Sequence, residues 1–194
     1  MKEDILEQLI DDYMQLKGYF TIHNIKYKPN AADKGYRKDQ DSVHSDLDVI
    51  GINPKLRGAS RVWVVNCKST QIGFNPKDVI KRIKNNQRYG NKPAWKHFRE
   101  LTNRKWNNAM FDKIFNITGT SKFVHVTAVT FLVGEKDNWE RNEIINRYMK
   151  GNPVKLLTFK EMTQGIYKAI GVTPCNSQFT RTLQLMKASK IVLK

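Results

Sequence analysis

Residues 45–69, SDLDVIGINPKLRGASRVWVVNCKS, read as two strands joined by a tight basic loop, with polar side chains gathered at one end. Asp46 and Asp48 open the first run, and Asn66 and Lys68 close the second. The members of each pair are two residues apart, so strand alternation assigns them to one face. Between them lie Val49, Ile50, Gly51 and Ile52, then Val62, Trp63, Val64 and Val65, apolar on both faces as in strands covered on both sides. A covered sheet that ends in a carboxylate, an amide and a lysine is a candidate site.

Upstream, Ile5, Leu6, Leu9, Ile10, Tyr13, Met14 and Leu16 recur at helical spacing from Glu3 to Lys17, and Gly18 stops the run as a C-cap does. Glu7 borders this apolar stripe. Tyr19 to Tyr27 alternates and is rich in β-formers, so it reads as a strand ending before Pro29. Residues 29–44 are polar and lack an apolar period, which predicts an exposed loop.

Downstream, Asn75-Pro76 opens a helix with an N-cap and a first-turn proline, followed by Val79, Ile80 and Ile83. From Lys81 to Lys105 come nine basic residues against one acid, Glu100. Seven of them, Lys81, Arg82, Lys84, Arg88, Lys92, Lys96 and Arg99, are the candidate phosphate contacts. Tyr89, Trp95, His97 and Phe98 are interleaved with them; for Trp95 and Trp106 a core role is the expectation. Residues 122–133 form the longest β-type run, residues 138–149 read as a helix ended by Gly151, and 154–157 as a short strand. Thr158 with Glu161 forms a capping box for a helix through Ile170. Alternating strands and helices predict an α/β fold with a central mixed sheet.

At 194 residues the chain is expected to make one domain, with a core at about 1–90 and 121–170, a basic helical insertion at about 88–120 and a C-terminal helical segment at 176–194. The formal charge of +16 and pI near 9.9 point to an anionic partner, nucleic acid first. The start MKEDILEQ lacks the apolar run of a signal peptide and no stretch reaches the length of a membrane span, so a soluble, cytoplasmic protein with no membrane partner is expected. Cys67 and Cys175 follow no metal spacing, which argues against structural zinc.

An acidic residue opening one strand, at Leu47-Asp48, and a second strand ending in Asn66-Cys67-Lys68, after a helix carrying Glu7, resemble the PD-(D/E)XK nuclease superfamily. The resemblance covers about the first ninety residues. It implies a restriction-endonuclease-like core and a DNA endonuclease dependent on Mg²⁺ or Mn²⁺, of restriction or mobile-element type. By the same resemblance Asp48 bridges the metal, the Cys67 carbonyl and Glu7 join it, and Lys68 orients or activates the attacking water. Asn66 departs from the pattern, since Asp or Glu is expected there. It reads either as an Asp exchanged to trap an uncleaved complex, or as the residue of a slow or retired nuclease. A non-catalytic DNA-binding protein on a nuclease scaffold, or a Holliday-junction resolvase or repair nuclease, are the alternatives. Cutting both strands of a duplex calls for two sites, which makes a homodimer a candidate assembly, though no residue argues for it.

Overall fold

The computed structural model describes residues 4–173 and 177–191. Glu3, Cys175, Asn176 and residues 192–194, about which the sequence raised expectations, lie outside them. The two strands of the opening stretch are β2 (Ser45–Ile52) and β3 (Val62–Lys68), an antiparallel pair linked by a loop that ends in a short 3₁₀ turn. The strand before them, β1 (Phe20–Tyr27), adds to β2 antiparallel. On the other side β6 (Val124–Val129) and β7 (Val154–Thr158) pair parallel to β3 and to each other. The result is a five-stranded mixed sheet in the order β1-β2-β3-β6-β7.

Both faces of this sheet are covered because its central strands are apolar on both sides. One core joins Val49, Val65, Val126 and Ala128 to α1 (Ile5–Leu16) and α8 (Phe159–Ala169), with Leu183 from α9 (Gln178–Ala188). α1 lies so close that a Cβ on Gly51 would meet the Met14 Cε at 2.2 Å and the Tyr19 Cβ at 3.2 Å. Gly18, at φ +83°, adopts the left-handed conformation that ends α1. The other core joins Leu47, Ile50, Val62 and Val64 to α3 (Pro76–Lys84), α4 (Arg99–Thr102) and α5 (Arg104–Thr118). Trp106 is fully buried there, and Phe74, Phe98 and Trp139 stack with ring centroids 5.0–5.9 Å apart.

Four expectations need correction. The β-type run at 122–133 is a strand only to Val129; Phe131 leaves it to pair its backbone with Phe74, anchoring the loop that follows β3. The helix read at 138–149 is two single turns, α6 (Asp137–Glu140) and α7 (Glu143–Asn146), because the Asn142 side chain caps Ile144 N–H and starts a second helix. The loop at 29–44 is not merely solvated. It contains α2 (Lys38–Asp41), whose Asp41 is completely buried against α5, accepting from the Lys105 ammonium and from Trp106 Nε1 at 3.0 Å. The basic stretch also holds a two-residue hairpin, β4 (Arg88–Tyr89) and β5 (Lys92–Pro93), so it is not wholly helical. Among the described residues no helix is long and apolar enough to cross a membrane.

Candidate active site at the fork of the central strands

The β2–β3 ladder ends at Val49 and Val65. Beyond that pair the strands part, and two backbone groups facing the gap lose their ladder partners. Side chains take over: Asp48 Oδ2 accepts from Cys67 N–H at 2.5 Å, and Asn66 Nδ2 donates to the Asp46 carbonyl at 3.0 Å. The same level is irregular on the other side, where Asn24 has φ +54° and the Asn24–Asp48 pair is missing from the β1–β2 ladder. Leu47 and Val49, two apart, consequently pack in opposite cores. Alternation therefore breaks at Asp48, and the expectation that it shares a face with Asp46 by simple periodicity does not hold. Asp46 is exposed, whereas Asp48 is half-buried in the fork.

In β3 the alternation is regular. Val62, Val64, Asn66 and Lys68 share the α3–α5 face, and Lys68 Nζ lies 5.5 Å from the centroid of the Phe98 ring. Burial pushes the Asp48 carboxyl above its usual range, against the pull of the Cys67 N–H and of the Lys68 charge. The Lys68 charge thus reaches the Asp48 carboxyl from the neighbouring strand. Asn66 is 5% exposed, and its Oδ1 is buried without a hydrogen-bond partner.

Cys67 and Glu7 belong to the opposite side. The Cys67 side chain packs on the α1 core, and burial, followed by the negative charges of Asp48, Glu7 and Asp4, pushes its thiol far up. Glu7 opens into a cleft of about 650 Å³ that it shares with Asp11, Asp12 and His23. This cleft is acidic, and Lys68 is not among the residues that line it. Asp4, which the sequence reading did not single out, caps α1 through Leu6 N–H, accepts from Ser69 Oγ and adds its charge to that around Asp48.

The site gains a residue that the sequence reading passed over. Glu100, the lone acid of the basic stretch, is 2% exposed and its Oε1 has no hydrogen-bond partner. Burial raises its pKa, against the pull of Lys68, its own backbone N–H and Arg99, and the charge of Asp48 raises it further. One acid among nine cations was the available signal, since an isolated buried carboxylate needs a reason to stay. His125, next to the site on β6, is also fully buried with both ring nitrogens unpartnered; burial and the Lys68 charge lower its pKa to about 3.

The acceptors gathered here are hard oxygens: the Asp48 carboxylate, Asn66 Oδ1 and Glu100 Oε1. Among the described residues no group of three or more His, Cys, Asp or Glu is arranged to hold a metal ion. The set holds one amide and two carboxylates, and Mg²⁺ keeps several waters and is commonly held through one or two carboxylates, so these residues fit it.

Of the candidate phosphate contacts, Lys81 and Lys84 are exposed and line, with Lys77, a shallow groove of about 300 Å³ between α3 and the α6–α7 turns. Lys92 is exposed on the small hairpin. The others are engaged locally: Arg82 pairs with Asp78 at 2.7 Å, Arg88 donates to the Asn91 carbonyl at 2.6 Å, Arg99 stacks 4.3 Å from the Trp106 ring and Lys96 lies 5.6 Å from that of Trp95. Trp95 is only half-buried, so its core role is partial. Comparison with protein-family models, with curated proteins and with solved structures returned no match to this chain.

Proposed function

We propose that this protein is a metal-dependent DNA endonuclease of the PD-(D/E)XK type, built on a restriction-endonuclease-like core. The observation that carries the reading is the convergence of Asp48 and Lys68 at the fork, with the Asp48 carboxylate fixed by the Cys67 N–H. Asp48 and Asn66 Oδ1 would hold Mg²⁺ or Mn²⁺, which supplies an activated water near neutral pH and charge stabilisation on the leaving oxygen. Lys68, beside the Phe98 ring, orients the attacking water and balances the charge of the phosphate. The Cys67 N–H engages one Asp48 oxygen, and the second would serve the metal. Lys77, Lys81 and Lys84 supply cations for the flanking phosphates. Restriction or mobile-element defence is the setting that best suits such an enzyme, with junction resolution or repair behind it.

Plasmid cleavage with Mg²⁺ or Mn²⁺ tests this. The expected result is metal-dependent nicking that Lys68→Ala lowers by about a hundredfold or more, in line with loss of a charge-stabilising group. Asn66→Asp is expected to lower the metal concentration needed. Absence of metal-dependent cleavage in the unmodified chain and in both Asn66→Asp and Asn66→Glu sinks the enzyme reading.

One observation favours a second reading, a DNA-binding protein that retained the scaffold and lost the chemistry. Asp48 and Asn66 already serve as caps of the strand fork, a structural task sufficient to keep them. DNA binding that persists without divalent metal, together with no metal bound at millimolar Mg²⁺, selects this reading.

A further inference from the structure

We infer that Glu100 supplies the second carboxylate of a divalent-cation site shared with Asp48, in place of the acid that Asn66 does not provide. This inference rests on the metal-dependent reading of the fork. Three features of placement carry it. Glu100 is almost fully enclosed, yet Oε1 has no donor. Its helix is tied to the site, because Phe98, two residues before it, lies under the Lys68 ammonium. Asn66 Oδ1 is also enclosed and without a donor, and the Lys68 charge acts on both Glu100 and Asp48.

A buried carboxylate oxygen without a donor costs free energy, and proteins resolve that cost with a proton, a cation or a metal. Lys68 alone does not resolve it: no hydrogen bond or ion pair joins Lys68 to Glu100 among the described residues. A cation held by the Asp48 carboxylate, Asn66 Oδ1 and Glu100 Oε1 satisfies both open acceptors. Its ligands come from β2, β3 and α4, so the acid is moved from strand to helix while the charge of the site is kept. A hard dication of the Mg²⁺ or Mn²⁺ class matches an all-oxygen set.

The test is Mn²⁺ titration of the DNA-free protein, followed by electron paramagnetic resonance. Glu100→Gln, nearly isosteric, is expected to weaken Mn²⁺ binding by about tenfold or more, and Glu100→Gln with Asn66→Asp to restore it. In the unmodified chain, Fe²⁺ with ascorbate and peroxide is expected to cut the backbone beside residues 48, 66–68 and 99–101. This readout stands even if the variants fold poorly. Mn²⁺ affinity unchanged by Glu100→Gln, or Fe²⁺ cuts at 48 and 66–68 with none at 99–101, overturns the inference. Glu100-dependent Mn²⁺ binding without DNA cleavage leaves it standing and removes only the nuclease reading.

Discussion

His125 shows how much one side chain can weigh on the pH range of the fold. It is completely enclosed, neither ring nitrogen has a partner, and its pKa is lowered to about 3. Only the neutral ring fits, so the native chain refuses a proton that the unfolded chain accepts below its ordinary value of 6.5. The contribution of this group is intact above 6.5 and is lost by about 1.4 kcal/mol for each pH unit between 6.5 and about 3. Urea unfolding at pH 7 and pH 4.5 checks this: the loss on acidification should be smaller by more than 2 kcal/mol, roughly, in His125→Leu. Equal losses in the two proteins would show that the ring is protonated or hydrated in place. Glu100, Asn66 and His125 are all buried polar groups with open atoms around Lys68, and that concentration distinguishes the fork from an ordinary sheet end, where charged residues simply meet water.

At the scale of elements, α2 and α5 are held together by a charge. Asp41 is buried; desolvation alone would raise its pKa, but hydrogen bonds from Lys105, the Arg37 backbone and Trp106, with the Lys105 charge, together pull it below 3.8. A lowered carboxylate contributes stability above its unfolded pKa and loses it as pH falls through the folded one, so this clasp opens only in acid, below 3.8. Asp41→Ala leaves Lys105 and the Trp106 N–H without their acceptor and is expected to cost about 3 kcal/mol in thermal or urea unfolding. A cost under about 0.5 kcal/mol, the range of surface changes, would show that the clasp is ornamental. The N-cap and proline that open α3 and the capping box that opens α8 were legible because each acts on its own helix, as Asn75 Oδ1 does on Asp78 N–H at 3.2 Å. The Asp41 clasp joins residues 64 and 65 positions apart, and no local pattern announces it.

Over the whole molecule, charge and shape work at different ranges. A formal charge of +16 draws a polyanion from any direction, and Lys77, Lys81, Lys84 and Lys92 line the α3 groove or stand exposed on the small hairpin. The double variant Lys81→Ala/Lys84→Ala is expected to weaken binding to duplexes of any sequence and to flatten the dependence of log affinity on log salt by about 2, one released counterion per lysine. Fluorescence anisotropy over a salt series measures this, and an unchanged slope would move the DNA face elsewhere. The cleft around Glu7, Asp11 and Asp12 is acidic, whereas the groove of α3 is lined by Lys77, Lys81 and Lys84, so of the two the α3 groove is the one suited to a polyanion.

What the sequence by itself determined were the features written in short-range periods: the helical stripe of α1, the strands β1, β2, β3 and β7, the caps of α3 and α8, and the excess of positive charge. It also marked Asp48, Asn66 and Lys68 as one end of one strand pair, because two consecutive strands joined by a tight loop run antiparallel and set the start of the first beside the end of the second. Only the tertiary structure decided which face each side chain takes. The fork breaks the two-residue period at Asp48, places Glu7 and Cys67 with α1, and brings Glu100 in from a four-residue helix whose own pattern is too short to read. The reason is physical: secondary structure answers to neighbours a few residues away, whereas a buried charge answers to groups delivered from distant parts of the chain, and these meet only when the two cores close on the sheet.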